Sequence, residues 1–135
     1  MRNSGQSMVE LAVCAPIVAL LALGGAAVAQ AVDARAGLDA ATQAAAAAAA
    51  RAPDPSAAQL AAQAQFDAVV EAYPLSGCVL RLDLGSFGRD GVARATSSGS
   101  IELGWASLMP FQTRLDLEAT ATADLEPFRS RAKAP

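Results

Sequence analysis

The sequence predicts an α+β chain: a long N-terminal apolar helix, a second amphipathic helix and a small antiparallel sheet of three or four strands. Three observations carry this. Alanine fills 35 of the 135 positions, and 27 of those alanines lie between Ala12 and Ala72. All six aromatic residues (Phe66, Tyr73, Phe87, Trp105, Phe111, Phe128) lie beyond residue 65. Between Leu115 and Asp124, apolar and polar residues alternate with the period of a half-buried strand. The first half therefore reads as helix built from small residues, and the second half holds the material for a core.

The first helix begins with 19 consecutive residues, Leu11 to Ala29, that carry no charge. At ~1.5 Å per residue this run spans roughly 28 Å, close to the ~30 Å of a bilayer's hydrocarbon core. Arg2 and the α-amino group precede it, and Asp33, Arg35 and Asp39 follow it, which favours a cytoplasmic N-terminus. Residues 30–51 contain no proline and include seven successive alanines, Ala44 to Ala50. Alanine is the best helix former, so one helix from Val9 to Arg51, about 65 Å long, is expected. A low-complexity linker over the alanine run is the alternative. Pro16 is expected to kink the helix, and Gly24-Gly25 mark a second weak point.

Pro53 and Pro55 end this helix. Ser56 with Gln59 reads as a capping box opening a second helix over 57–73, with Leu60, Ala64, Phe66, Val69, Val70 and Tyr73 on its apolar face. Cys78, Leu80, Leu82 and Leu84 then alternate with polar neighbours as a first strand. Asp90-Gly91 signals a hairpin leading to a strand near 92–97, and Ile101, Leu103 and Trp105 suggest another. Pro110 breaks the chain before the last strand, where Leu115, Leu117, Ala119, Ala121 and Ala123 face one way. One apolar and one wet face describe a sheet resting on helix. The chain beyond Glu126 reads as a short tail with Phe128 tucked in.

Several functions are disfavoured at once. The absence of histidine removes Ser-His and Cys-His catalysis and His-ligated metals. A net charge of −3 without a basic patch argues against nucleic acid. Cys14 and Cys78 form no thiol-metal framework, and Cys78, in phase with Leu80, is either a buried free thiol or an intersubunit disulfide partner. Gly85-Ser86-Phe87-Gly88-Arg89-Asp90-Gly91 opens no helix and so fails the context of a phosphate loop. Asp116, Glu118 and Asp124 share a strand face with Arg114 and read as a solvated surface. No catalytic residues, cofactor, metal or small-molecule substrate are indicated, and no enzyme is expected.

The apolar run itself admits several readings. Ala27-Val28-Ala29 supplies an A-x-A site for a secretory signal peptidase, which would release a soluble extracytoplasmic binding domain. Against this, the run exceeds the ~7–15 residues of a signal h-region, and Glu10 sits at its edge. A lipoprotein signal at Leu11-Ala12-Val13-Cys14 lacks an apolar region before the cysteine. A plain single-pass anchor is a third reading. The fourth rests on Gly5-Gln6-Ser7-Met8-Val9-Glu10-Leu11: a glycine, four residues, then a glutamate directly ahead of an apolar helix.

Read through Pro16, GQSMVELAVCAP resembles the TadE-like pseudopilins of tight-adherence (Flp-type) pilus systems. The resemblance covers the first 30 residues, and the remainder in layout, including the Glu126-Pro127-Phe128 ending. It implies a pilin-like fold and a leader, residues 1–5, cut between Gly5 and Gln6 by a prepilin peptidase. It also implies retention of residues 6–52 as transmembrane helix and stem, and an outer domain over 53–135. The chain would lie in the cytoplasmic membrane with its N-terminus inside, or in the extracellular pilus, with other pilins or pseudopilins as partners. Glu10 would become the fifth mature residue, the position pilins reserve for that acid, and Pro16 belongs to the same pattern. A carboxylate at a membrane boundary is expensive; in a filament its partner would be the N-terminal amine of a neighbouring subunit. Alanines at 12, 15, 19, 22, 26 and 29 keep one face of the helix small, as close helix packing in membranes favours.

Overall fold

The computed structural model describes residues 3–88, 90–103 and 114–125. Arg89, Trp105, Pro110, Phe111, and Glu126 through the Phe128 tail lie outside the described residues. The chain divides into two compact units, Met1–Val32 and Asp33–Pro135. One helix, α1 (Asn3–Arg51), contributes to both.

In the first unit, α1 runs unbroken through Pro16 and Gly24-Gly25. It starts at Asn3, six residues before the Val9 start expected from the sequence. Extending an existing helix adds one hydrogen bond per residue without a new nucleus, and nothing from Asn3 to Met8 except Gly5 opposes it. The helix is long and apolar enough to cross a membrane.

The second unit contains the rest of α1, then α2 (Pro55–Val70), β1 (Ser76–Asp83), β2 (Val92–Glu102) and β3 (Arg114–Asp124). The α+β description therefore holds, with three strands in antiparallel order β1-β2-β3. The strand suggested near Ile101 is the end of β2, which continues through the serine-rich stretch Ser97–Ser100. Short polar residues disguise that stretch as a loop, yet it pairs in continuous register with β3, from Val92 against Asp124 to Glu102 against Arg114. β1 pairs with β2 from Asp83↔Arg94 to Val79↔Ser98, then a register shift precedes Ser76↔Ser100. Gly77, at φ +61°, takes the left-handed backbone there, open to glycine at no steric cost. Asp90 and Gly91 lie in the β1–β2 connection as expected, with the Gly91 N–H donating to Gly88 O at 3.0 Å.

The cap of α2 is Asp54 and not Ser56. Its carboxylate accepts from the Ala57 N–H at 2.8 Å, and Pro55 fills the first helical position, where its missing donor costs nothing. Ser56 Oγ donates to the same carboxylate oxygen, so the serine supports the cap instead of forming it. The inward face of α2 is also shifted from the expected one. Ala58, Ala62 and Phe66 are buried, while Leu60 is 75% exposed and Ala64 is exposed. Val69, Val70 and Tyr73 remain half-buried, as expected.

The core lies between the helices and the inner face of the sheet. Leu38, Ala41, Ala45 and Ala49 of α1 meet Ala58, Ala62 and Phe66 of α2 and Ala93 and Ala119 of the sheet. The run Ala44–Ala50 is helix with four buried members (Ala45, Ala46, Ala49, Ala50), which excludes the linker alternative. The stem thus belongs with the sheet: the sequence boundary near residue 53 marks the end of α1, while the compact unit begins at Asp33.

The inner face of β2 is lined by Ala93, Ala95, Ser97 and Gly99, all buried. Small residues on both layers allow a close approach of helix to sheet. At Gly99 an added Cβ would stand 2.9 Å from Cys78 Sγ, 3.7 Å from Leu38 Cδ1 and 3.8 Å from Leu75 Cδ2. Gly37 of α1 is similarly covered by the Tyr73 ring. Gly99→Val is therefore expected to destabilise the protein by about 1–3 kcal/mol through overpacking, read as a lowered urea midpoint in the detergent-solubilised chain. An unchanged midpoint would show that this face has room.

Candidate functional site

The residues singled out from the sequence, Gly5, Gln6, Glu10 and Pro16, all lie on α1 within the first unit. All are exposed. Gln6 and Glu10, four residues apart, stand one turn apart on the same helix face. Pro16 lies further along the same helix, within its unbroken span. Glu10 has no partner among the described residues. A side chain at Gly5 would meet nothing within 4 Å, and the same holds at Gly24 and Gly25. Among the described residues no packing requires glycine at these three positions.

Around and after Glu10 stand eleven large apolar residues, from Met8 to Val32, that are between 41% and 75% exposed. They include Leu11, Val13, Ile17, Val18, Leu20, Leu21, Leu23 and Val28. The first buried residue of α1 is Ala34, and from there the helix serves the core of the second unit. A soluble monomer rarely leaves so large a contiguous apolar surface in water; such surfaces mark contacts with lipid or with protein. Helical backbone pairs its internal N–H and C=O groups, the condition for lying in hydrocarbon, apart from the Ala12 carbonyl, whose donor Pro16 removes.

The remaining candidates fall in the second unit. The glycine-rich stretch Gly85–Gly91 joins β1 to β2, as a hairpin connection does, with Arg89 outside the described residues. Asp83 Oδ1 accepts from the Gly85 N–H at 2.9 Å, a local turn contact. On the outer face of β3, Arg114 Nε lies 3.5 Å from Asp116 Oδ1, both well exposed. Among the described residues no group of three His, Cys, Asp or Glu side chains could hold a metal ion. Cys14 and Cys78 are free thiols; Cys78 is half-buried, and burial pushes its thiol above the ordinary cysteine range.

One pairing escaped the sequence reading. Thr42 of α1 and Ser97 of β2, 55 residues apart, are both buried, and their hydroxyl oxygens lie 2.5 Å apart. Thr42 Oγ1 donates its single proton to Leu38 O at 2.6 Å, so Ser97 must be the donor between the two hydroxyls. A lone threonine ahead of an alanine run and a serine within a serine cluster offer no signal that would match them.

No protein-family model matches the chain, and no curated protein or solved structure matches it either.

Proposed function

We propose that this chain is a TadE-like minor pilin or pseudopilin, a pilin-like structural subunit in the assembly of a tight-adherence pilus. A prepilin peptidase cuts it between Gly5 and Gln6, and its apolar helix holds it in the cytoplasmic membrane with the second unit outside. The observation that carries this reading is the exposed apolar surface from Met8 to Val32, placed after Gly5 and around and after Glu10 on one helix. A subunit of this kind needs a helix that is covered first by lipid and then by neighbouring subunits, and therefore not by its own chain.

The roles of the single residues follow from this. Gly5 weakens the first turn of α1 by about 1 kcal/mol against alanine, and helix ends fray readily, so its bond to Gln6 is easily drawn into an extended, cleavable form. Glu10 keeps a carboxylate at the membrane boundary, where the new N-terminal amine of a neighbour neutralises it in low dielectric. The alanine face from Ala12 to Ala29 allows close approach of the neighbouring helix.

The two roles separate experimentally. Gly5→Ala is expected to retain the leader when co-expressed with the cognate peptidase, shown by a slower band on a denaturing gel. Glu10→Ala is expected to be inserted in the membrane but missing from sheared filaments. Normal maturation of the first variant, or normal filament incorporation of the second, would remove the role assigned to that residue.

A further inference from the structure

Among the described residues, β3 is paired along one edge only. Its eleven residues run against β2 without a bulge, whereas β1, at the other side of the sheet, is interrupted by the register shift near Gly77 and is contacted by α2. A long, regular edge with unused N–H and C=O groups is a template for another strand. The side chains of β3 also specify which strand fits.

We propose that this edge takes the same edge of a second copy of the chain, antiparallel, joining the two three-stranded sheets across a twofold axis at Ala119. In that register Arg114 faces Asp124 of the second copy at both ends of the interface. Between them Leu115 faces Ala123, Asp116 faces Thr122, Leu117 faces Ala121 and Glu118 faces Thr120. The inner faces stay aligned, since an odd shift would turn every side chain to the wrong side. Leu115, 42% exposed in the single chain, gains an apolar neighbour.

Charge selects this register against its neighbours. Centring the pair on residue 117 sets Asp116 against Glu118, and centring it on 118 sets Glu118 against itself. A centre at 120 opposes Asp116 to Asp124, and one at 121 opposes Glu118 to Asp124. Like charges directly opposite each other destabilise a strand pair, and opposite charges support it. Among registers that pair seven or more residues of β3, only the Ala119 centre places the strand's single cation on an acid while keeping acids apart. The twofold axis stands normal to the sheet, so the stems packed on its inner face run in opposite directions. The interface does not depend on the pilin reading.

The test uses two single variants of the full chain in detergent, Arg114→Asp and Asp124→Arg, followed by sedimentation equilibrium. The unaltered chain is expected to dimerise. In Arg114→Asp, acid faces acid at both ends; in Asp124→Arg, arginine faces arginine. Each alone is expected to dimerise about tenfold more weakly or worse. An equimolar mixture restores opposite charges at both ends of the mixed pair and is expected to recover the dimer, a result that a folding defect in either variant cannot produce. A monomeric unaltered chain, undiminished dimers in either single variant, or a mixture no better than its components would overturn the proposal.

Discussion

Phe66→Ala is expected to destabilise the second unit by about 3–5 kcal/mol, the upper range for loss of a buried aromatic side chain. Phe66 is 1% exposed and is the largest fully buried side chain among the described residues. The buried cluster it belongs to is mostly alanine, including Ala41, Ala45 and Ala49 on α1 and Ala58 and Ala62 on α2, with Leu38 and Leu125 as its other large members. An alanine methyl is fixed to its backbone and has no rotamer with which to fill a void. A cluster with few rotatable side chains collapses poorly onto the space left by the ring, which raises the cost. Against a total stability of about 5–15 kcal/mol for a domain of this size, such a loss removes a large fraction of the folded population or abolishes it. Leu60→Ala supplies the contrast. Leu60 lies on the same helix but is 75% exposed, so its loss is expected to stay within about 0.5 kcal/mol. Urea unfolding followed by circular dichroism compares the two, and equal effects would contradict the inward face of α2 described above.

The second large effect is expected at the buried hydroxyl pair. Thr42→Val keeps the shape of the side chain but removes the oxygen that receives the Ser97 proton. Ser97, 1% exposed, then holds a buried donor without that acceptor, a loss of about 1–3 kcal/mol. Ser97→Ala is expected to cost less, because Thr42 still donates to Leu38 O. The double variant Thr42→Val/Ser97→Ala should be less unstable than the sum of the single ones, since no orphaned group remains. Simple additivity would show that the two hydroxyls act independently. The pair joins stem to sheet through a buried polar contact. It fixes the sliding register of two smooth alanine-rich surfaces, which dispersion forces alone specify poorly.

These two sites also mark where the sequence was readable. The alternation from Leu115 to Asp124 led directly to β3, because one residue in two contrasts with the next. The long helix was legible from its composition. The buried face of the stem was not: Ala34, Ala41, Ala45 and Ala49 differ from their exposed alanine neighbours only in what they touch. A helix rich in one residue has almost no hydropathic contrast to reveal its inner side. The same limit hid Ala58 and Ala62 on α2 and directed attention to Leu60. The serine-rich part of β2 was hidden by small polar residues that suit a close helix-to-sheet contact and also suit a loop. At the N-terminus, Gly5, Gln6, Glu10 and Pro16 were singled out by their placement ahead of the apolar run together with the resemblance to TadE-like pseudopilins. The structure adds that, among the described residues, nothing packs on Gly5 and the large apolar side chains around and after Glu10 are exposed.

The first unit therefore carries large exposed apolar side chains from Met8 to Val32, and the buried core residues of the described chain all lie in the second unit, from Ala34 onward. On the reading proposed above, the first is the anchor and assembly element and the second is what it carries. The mature N-terminus tests this most directly. The chain, expressed with its native prepilin peptidase, would be recovered from the membrane fraction and its first residue determined by mass spectrometry. The expected first residue is Gln6, with the whole apolar helix retained. A mature chain beginning at Gln30 would show that the helix is a discarded secretory signal, and one still beginning at Met1 would show that Gly5 marks no cleavage site; either would contradict the account.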